Sequence, residues 1–594
     1  MENGQDTRER SKVDDDRETK RLREVDPTPS NLKDFVLPEV LDTVEQMKAV
    51  YMTSVPYKHA WFPKVFHSSF IDKAIDEIQH NSKVNFKESD LFRVYQSMDL
   101  ANLTEEEHAQ SMPNVWNLRN VLYSTEWRKH IEKICGLEEG TLIDKVDCAC
   151  NCHIEGCHLL CHDDVIGTRK VSYIIYMTEE NWTVEEGGAL ELYGRVQDGD
   201  DDSDEYVPEA VPAKTVLPIR NSMAFFVVEP GVSFHAVQEV FGNRPRLSLQ
   251  GWYHAAVPPM GMENATLQQL KDKDSQDVSI ETFQSYLVPE VAVKVNDDGI
   301  SLSESDKIFL SKFIQATYLQ PDSIKEIKKR FEDESSVQLR EFLHDEIIER
   351  INEQITREDV EDFKPITDAD YYRQGVKDGW TLTGPSHKQR YLEFRRDKPA
   401  DNPTSVGDMM ILLKMELLES QPFRRYLAIL TSLGEPLGFI GSARRFRRGL
   451  DYTVAHHGLL MDESVLDATL CFVAGRGKDV QTEMEEMEED KIHEDDVKWQ
   501  SGDLGGFECY ISADVEEEGG GPAAPADEYN EEDDTELLSV SASNNTLNLV
   551  YRDEGTMRFV KYVGSKAPSS RYDIAMVYSV DQTEEDEETE GVMK

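Results

Sequence analysis

The segment LLCHDDVIGTRKVSYIIYM, from Leu159 to Met177, places a histidine and two aspartates at the end of an apolar run. Side chains alternate between the two faces of a β-strand, so we expect His162 and Asp164 to share a face and Asp163 to point away. An imidazole and a carboxylate on one face supply two of the three ligands of a facial triad, which binds Fe(II) and leaves coordination positions open. The segment therefore predicts part of a metal site.

The third ligand must come from another strand. His235, in the later strand-like run GVSFHAV, is the candidate. Turn residues separate short strand-like runs in this region, which is typical of an all-β barrel or sandwich. The runs are CACNCH, HLLCH, VSYIIYM, GALELY, KTVLPI, SMAFFVV, SFHAVQEV and RLSLQGWYHA.

An anion-binding group follows the third ligand in the sequence. In RPRLSLQGWY, Arg246 and Ser248 are two residues apart and share a strand face. An inward-facing arginine requires an anion, and a guanidinium binds a carboxylate with two hydrogen bonds. Ser248 could add a third hydrogen bond, and Tyr176 on the neighbouring VSYIIYM strand could reach the same carboxylate. Each residue alone is more often a surface arginine or a core tyrosine, but the joint spacing favours an anion site.

The order HDD, then H, then R-x-S resembles the Fe(II)- and 2-oxoglutarate-dependent oxygenases of the double-stranded β-helix fold. The longer matches LLCHDD, VSYIIYM, EEGGALELY, FHAVQEV and RLSLQGWYH resemble one branch, the prolyl 3-hydroxylases that modify a small-subunit ribosomal protein. The resemblance extends over nearly the whole chain from about Asn31.

The resemblance implies a mechanism and its cofactors. It implies that Fe(II) is held by His162, Asp164 and His235, and that 2-oxoglutarate is bound by Arg246 with Tyr176 and Ser248. Oxidative decarboxylation of 2-oxoglutarate by O2 would be coupled to hydroxylation of prolyl C3, and L-ascorbate would restore oxidised iron. The implied substrate is a basic ribosomal protein, with an effect on translation and its termination.

The resemblance implies a β-rich α+β architecture of two tandem double-stranded β-helix (jelly-roll, cupin-like) barrels with supporting helices, the second barrel lacking the metal. The predicted parts are a disordered N-terminus (1–35), a catalytic barrel with N-terminal helices (36–260), a helical linker (261–360), a second, metal-free barrel (361–580) and an acidic tail (581–594). Acidic insertions at about 478–498 and 514–537 are Glu-, Gly- and Pro-rich, and we expect them to be disordered.

The second barrel aligns with the first as a weak repeat. When VSYIIYM is set over LDATLCFV, and NSMAFFVVEPGVSFHAV over NNTLNLVYRDEGTMRFV, the ligand positions are mostly replaced. His162 falls on His457, Asp164 on Leu459, Tyr176 on Cys471 and His235 on Arg558. We therefore expect the chemistry in the first barrel, and docking or stability as the role of the second, including possible binding of translation or transcription regulators.

The net charge of the chain limits the classes of partner that it can bind. The formal net charge is −52 at pH 7, which argues against direct nucleic-acid binding and suits a basic protein partner, although acidic segments also simply increase solubility. We expect no signal peptide or membrane span. The basic run Lys20–Arg23 is compatible with nuclear import, so the predicted location is the cytoplasm and nucleus.

Two questions stay open at the level of the sequence. Six of the eight cysteines lie between Cys135 and Cys161, and they predict either a structural zinc or redox site or, as we favour, small buried hydrophobic residues. The function could also be the same oxygenase chemistry on another protein, or a low-turnover regulatory module that senses oxygen or 2-oxoglutarate.

Overall fold

The structure is a computed structural model. It describes residues 31–97, 99–102, 111–197, 205–271, 283–286, 302–474, 499, 502, 504–513 and 536–580. The predicted disordered N-terminus, acidic insertions and tail fall largely outside these residues.

An 11-stranded antiparallel sheet forms the first barrel. Its strands are β1 (His59–Phe62), β2 (Val84–Glu88), β3 (Phe92–Ser97), β4 (Val146–His153), β5 (His158–His162), β6 (Arg169–Tyr176), β7 (Leu190–Gln197), β8 (Tyr206–Val216), β9 (Met223–Val227), β10 (His235–Val237) and β11 (Arg246–His254). The order is β1-β9-β6-β11-β4-β3-β5-β10-β7-β8, with β2 on β3.

The sheet curls so that two walls face each other. One wall is β9-β6-β11-β4 and the other is β5-β10-β7-β8, and β3 joins them because it pairs with both β4 and β5. Side chains that alternate along each strand therefore face either the interior or the outside. On β7, Leu190 and Leu192 face the interior, where they pack with Tyr176 and Phe226.

Helices cover the outside of the first wall and the corresponding face of the second barrel. Their bounds are α1 (Pro38–Asp42), α2 (Val44–Thr53), α3 (Ser68–Asn81), α4 (Pro113–Tyr123), α5 (Thr125–Cys135), α6 (Thr266–Lys271), α7 (Glu304–Leu310), α8 (Pro321–Glu334), α9 (Asp345–Asp362), α10 (Val406–Leu412) and α11 (Gln421–Thr431). The first core cluster joins α3, α4 and α5 to alternate residues of β6, β9 and β11, such as Ile175, Phe225 and Leu249. Within the described residues, none of the helices combines the length and the hydropathy needed to cross a bilayer.

The second barrel repeats the strand order of the first. Its strands are β12 (Gln284–Ser285), β13 (Ser336–Leu339), β14 (Trp380–Thr383), β15 (Gln389–Phe394), β16 (Gly438–Phe446), β17 (Tyr452–Thr453), β18 (Val465–Val473), β19 (Glu508–Ser512), β20 (Glu536–Val540), β21 (Thr546–Arg552), β22 (Thr556–Val560) and β23 (Arg571–Ser579). The order β13-β21-β18-β23-β16 matches β1-β9-β6-β11-β4, and β20-β19-β22 matches β8-β7-β10. The predicted fold, two tandem double-stranded β-helices, is confirmed.

Part of the segment predicted as a linker belongs to the second barrel instead. β13 pairs with β21 along the edge of the second sheet. The apolar faces of α8 and α9 bury Ile327, Phe331, Ile351 and Ile355 in the same core as β18 and β23. These helices are amphipathic, and the second sheet provides the surface that their apolar faces need.

The two barrels pack directly against each other. Leu160 of β5 lies in one apolar cluster with Tyr452 and Tyr562 of the second barrel. The carboxylate of Glu239, which follows β10, accepts hydrogen bonds from the main-chain N and the Oγ of Ser565 and from the hydroxyl of Tyr562. The second barrel therefore covers the outer face of the wall that carries His162 and His235.

The Glu239 contact makes the stability of the protein depend on pH. Burial raises the pKa of Glu239 from its ordinary 4.5 to about 7, although the hydrogen bonds from Ser565 and Tyr562 oppose the shift. Between these two pH values the folded protein binds more protons than the unfolded chain, so this group makes the fold less stable as pH rises from about 4.5 to about 7.

We predict that Glu239→Gln removes this dependence. Relative to the wild type, the free energy of unfolding of the variant should rise by about 2–3 kcal/mol between pH 5 and pH 8. Urea titrations of both proteins at several pH values measure the difference, with the exposed Glu138→Gln as control. A difference that stays constant with pH would contradict the assignment.

Candidate metal and cosubstrate site

Three side chains converge at the centre of the first barrel. The Nε2 atom of His162 lies 3.2 Å from Oδ1 of Asp164, and the Nε2 atom of His235 lies 3.2 Å from Oδ2. The ligand atoms of all three residues lie within 4.8 Å of one another. No other group of three or more His, Cys, Asp or Glu side chains in the described part of the chain comes together in this way. Two imidazoles and one carboxylate on one side of a cleft are the donor set of a facial triad.

The turn after β5 brings Asp164 into the site, and strand alternation does not. β5 ends at His162, and Asp164 has a left-handed backbone with φ of 63°. Asp163 points away from the site, as predicted, and accepts hydrogen bonds from the main-chain N (3.0 Å) and Oγ1 (2.9 Å) of Thr266 at the start of α6. These bonds anchor the turn, so the three predicted residues meet because of the turn at Asp164 and not because of the strand alternation that the prediction assumed.

The main chain fixes the orientation of both imidazoles. The Nδ1 atom of His162 lies 2.8 Å from the carbonyl O of Leu160, and that of His235 lies 2.8 Å from the carbonyl O of Ser233. A carbonyl only accepts hydrogen bonds, so Nδ1 carries a proton in each ring and Nε2 is directed into the site. The pairing of β5 with β10 contains a bulge, because His235 is opposite His162 and Val237 is opposite Leu159. His162 and Leu159 therefore both line the cleft although they are three residues apart.

The electrostatics of the group favour an ionised carboxylate. Burial would raise the pKa of Asp164, but the two neighbouring histidines hold it well below its ordinary value. Burial would lower the pKa of His162, and the hydrogen bond and charge of Asp164 outweigh it, so the pKa is raised. The hydroxyl of Ser172 donates to Oδ2 of Asp164 at 2.9 Å. The carboxylate is therefore charged and held in place, as a metal ligand needs to be.

Arg246 and Tyr176 lie behind this group and have unused hydrogen-bonding capacity. Nε of Arg246 donates to the carbonyl O of Gly188 at 2.6 Å, and one terminal nitrogen lies 3.4 Å from Oγ of Ser248. The other terminal nitrogen of Arg246 and the hydroxyl of Tyr176 are buried without a hydrogen-bond partner among the described residues. Buried donors of this kind are costly unless a ligand satisfies them, so these residues fit a small dicarboxylate such as 2-oxoglutarate.

The strand that carries Tyr176 neighbours the strand that carries Arg246 and Ser248. β6 pairs with β9 and β11 and faces β5 across the interior. Tyr176 is paired directly with Ser248, so it reaches the same chamber. Burial raises the pKa of Tyr176 to about 12, and its hydroxyl stays protonated as a donor.

Two residues of the chamber were missed by the sequence reasoning. On β4, His153 pairs with Arg246 and Asn151 pairs with Ser248. Nδ1 of His153 lies 3.5 Å from a terminal nitrogen of Arg246, and burial together with this cation lowers the pKa of His153 well below its ordinary value. The alternation in CACNCH indicates a strand and could have pointed to these two residues. The sequence does not specify the register in which this strand pairs with RLSLQGWYH, so their contact with Arg246 and Ser248 could not be predicted.

The cleft over the metal group has a volume of about 160 Å³. Phe92 and Val94 of β3, Leu267 of α6 and Trp252 of β11 are among the residues that line it. These walls are mostly apolar, so they exclude water and suit an uncharged side chain of a peptide.

The cysteines near the site are mostly buried, and none of them forms a disulfide bond. Burial raises the pKa of Cys150 and that of Cys135 to about 12. A raised pKa opposes the thiolate that zinc binding and redox chemistry require. The interpretation as small hydrophobic residues is therefore favoured over the zinc or redox interpretation.

Known proteins match the chain over nearly its whole length. The family described as the 2OG-Fe(II) oxygenase superfamily matches residues 148–254, and the family described as oxoglutarate and iron-dependent oxygenase degradation C-term matches residues 305–587. A prolyl 3,4-dihydroxylase OGFOD1 of Ostreococcus tauri is 36% identical over 88% of this chain and 95% of its own length.

This chain belongs to the OGFOD1 family of 2-oxoglutarate- and iron-dependent oxygenases. A prolyl 3-hydroxylase OGFOD1 of Xenopus laevis is 27% identical and covers 88% of this chain and 86% of the relative. Among solved structures, a Pseudomonas putida prolyl-4-hydroxylase aligns with 36% of this chain and 99% of its own at 16% identity and a TM-score of 0.25. Members of the superfamily use Fe(II), 2-oxoglutarate and O2, and the groups described above fit all three.

In the second barrel of this oxygenase, charged side chains occupy the equivalent positions. The pairing of Leu466 with Tyr578 and of Cys471 with Asp573 repeats that of Val171 with Tyr253 and of Tyr176 with Ser248. The proposed equivalence of Tyr176 with Cys471 therefore agrees with the register, which also sets Arg571 at the position of Arg246.

At these positions the second barrel has pairs of oppositely charged side chains. The guanidinium of Arg558, aligned with His235, lies 3.1 Å from Oδ1 of Asp467 and also pairs with Glu508. Asp573, at the position of Ser248, lies 2.8 Å from a terminal nitrogen of Arg571 and 2.8 Å from Nε of Arg444. An internal cation and an internal carboxylate thus lie where the first barrel has its metal ligands and its anion-binding group.

We predict that Arg558→Met strongly destabilises the protein. The change removes a cationic partner from the buried carboxylates of Asp467 and Glu508, which typically costs about 3–5 kcal/mol in the free energy of unfolding. Arg330→Met is the matched control, because Arg330 pairs with Glu334 at the surface and such pairs are worth at most about 1 kcal/mol. Free energies of unfolding from urea titrations compare the two, and equal losses would contradict a structural role for the buried cluster.

Proposed function

We propose that this protein hydroxylates C3 of a prolyl residue in a small-subunit ribosomal protein and thereby affects translation. The observation that carries the proposal is the triad of His162, Asp164 and His235 beside a chamber with unpartnered donors on Arg246 and Tyr176. Relatives in Xenopus laevis and Drosophila melanogaster are named prolyl 3-hydroxylases. The mostly apolar lining of the cleft suits a proline side chain.

In this proposal the chain's residues bind, orient and shield the reacting groups. His162, Asp164 and His235 hold the iron, while Arg246, Tyr176 and Ser248 bind the carboxylate of 2-oxoglutarate that lies away from it. When bound, iron and 2-oxoglutarate activate O2 for insertion of one oxygen atom into a C–H bond, and L-ascorbate keeps the iron reduced. Leu190, Ile174 and Phe226 line the cleft and exclude water from the reacting centre.

The charge of the chain supports a basic substrate. A net charge of −52 raises the local concentration of cationic proteins and their rate of encounter. The cleft itself is lined by Lys87 and Arg169 as well as by the carboxylates near the metal group. Long-range attraction therefore comes from the surface and the acidic segments, and the cleft selects for the target residue by its shape and apolar walls.

A second candidate reaction adds two oxygen atoms to the same proline. The Ostreococcus tauri relative, which is named a prolyl 3,4-dihydroxylase, is 36% identical, whereas the named 3-hydroxylases of Xenopus laevis and Drosophila melanogaster are 27% identical. The difference in identity favours dihydroxylation as the alternative product.

Mass spectrometry of a proline-containing ribosomal peptide tests both candidates. With Fe(II), 2-oxoglutarate and ascorbate, we expect the wild type to add one oxygen atom to proline, or two if the second candidate holds. His235→Ala should lose the activity, because one metal ligand is missing, and the exposed His80→Ala should keep it. Succinate without a modified peptide would reject this substrate, and neither product would reject the oxygenase activity.

A separate prediction concerns 2-oxoglutarate. Arg246→Met should raise the KM for 2-oxoglutarate by about 10- to 100-fold, because hydrogen bonds to charged groups contribute about 1.5–3 kcal/mol. Arg244→Met is the control, since Arg244 pairs with Glu186 outside the chamber. Succinate formation at varied 2-oxoglutarate concentration measures the effect, and equal KM values for the two variants would contradict the assignment of Arg246.

A further inference from the structure

The wall that carries both proposed histidine ligands is buried on its two sides. On β10, His235 faces the metal group, while its neighbour Ala236 packs outward in a cluster with Cys161 and Phe234. The ring of Phe234 stacks on His387 of the second barrel, with 6.4 Å between ring centroids. The second barrel therefore lies directly behind the strand that positions His235.

β10 itself is a weak support for a metal ligand. It has three residues, and its pairing with β5 is interrupted by a bulge between His235 and Val237. A strand this short makes few ladder hydrogen bonds, so side-chain contacts on its outer face are needed to fix its position. A displacement of β10 would move the imidazole of His235 relative to Asp164.

The hydroxyl of Tyr372, from the second barrel, makes such a contact. It donates to Oε1 of Glu191 at 2.6 Å and accepts a hydrogen bond from Nε2 of Gln238 at 2.8 Å. Glu191 lies on β7 and is paired with Ala236, the residue after His235. Gln238 directly follows β10. One hydroxyl group thus ties β7 to the end of β10, on the face opposite the metal group.

The contact is buried and charged, which makes it sensitive to loss. Glu191 and Gln238 are both buried, and the second oxygen of Glu191 accepts a hydrogen bond of 2.6 Å from Tyr193. The hydroxyl groups of Tyr372 and Tyr193 therefore take the place of water around the carboxylate of Glu191. A terminal nitrogen of Arg390 lies 3.3 Å from the hydroxyl of Tyr193, so this guanidinium is close to the carboxylate. In a low-dielectric interior such a network holds its members in one arrangement.

We propose that Tyr372 is a positioning residue for His235, and that the second barrel serves the reaction by supporting the metal-binding wall of the first. The inference rests on the proposed function, because it takes His235 as an iron ligand. According to this inference, the second barrel directly affects the geometry of the reacting centre, although charged side chains occupy the positions of a metal site in its own interior.

The test compares Tyr372→Phe with Tyr371→Phe in the full-length protein. The ring of Tyr371 lies 5.1 Å from that of Tyr372, and its hydroxyl takes no part in the Glu191 network. Both proteins are titrated with Co(II) alone, and the d–d absorption of the bound ion is recorded. We expect Tyr372→Phe to bind Co(II) about 10-fold more weakly and with an altered spectrum. This is the lower end of the effect of losing a residue that bonds a metal ligand directly, because Tyr372 acts on His235 only through β10. Tyr371→Phe should match the wild type.

A second measurement separates positioning from a loss of fold. Loosened geometry should raise the ratio of succinate to hydroxylated product in Tyr372→Phe, whereas a partly unfolded sample would lower both in proportion. If Tyr372→Phe does not fold, Gln238→Met removes the same contact from the first barrel and should weaken Co(II) binding in the same direction.

The outcomes distinguish the inference from the function on which it rests. A folded Tyr372→Phe with wild-type Co(II) affinity and spectrum would overturn the positioning role and leave the metal site intact. A wild type that does not bind Co(II), or a His235→Ala variant that binds it equally well, would overturn the metal site itself.

Discussion

The carboxylate of Asp164 between two imidazoles is the constraint on which the rest of the first barrel depends. It reaches this place because the chain turns through a left-handed residue after β5 and because Asp163 is anchored to α6. Each histidine is held by a main-chain carbonyl two residues before it. The ligand group is thus built from short local contacts, and the barrel brings them together from two strands.

The two barrels show two solutions for the same interior. A double-stranded β-helix encloses polar positions on facing strands, and these positions need charge partners. The first barrel leaves them to a metal and a dicarboxylate, whereas the second fills them with Arg558 beside Asp467 and with Asp573 beside Arg571. The second barrel consequently satisfies these charges with its own side chains, which suits it to support the first.

The interface between the barrels joins the second barrel to the wall that carries the proposed metal ligands. Two of its buried polar members are Glu191, which lies on β7, and Glu239, which lies two residues after β10. Both carboxylates are bonded by hydroxyl groups of the second barrel, from Tyr372 and Ser565. The outer face of this wall would otherwise be in contact with water, and its burial restricts the movement of the strands.

The sequence by itself determined the barrel strands and indicated the proposed ligand trio and the candidate anion-binding arginine, because apolar runs and residue spacing carry that information locally. It also indicated the repeat, although His457 lies in a 3-10 helix and not on a strand. Only the tertiary structure decided the left-handed turn at Asp164, the placement of His153 beside Arg246, the membership of α8 and α9 in the second core and the contact of Tyr372 with Glu191. These depend on register and on packing between distant segments, which no local pattern encodes.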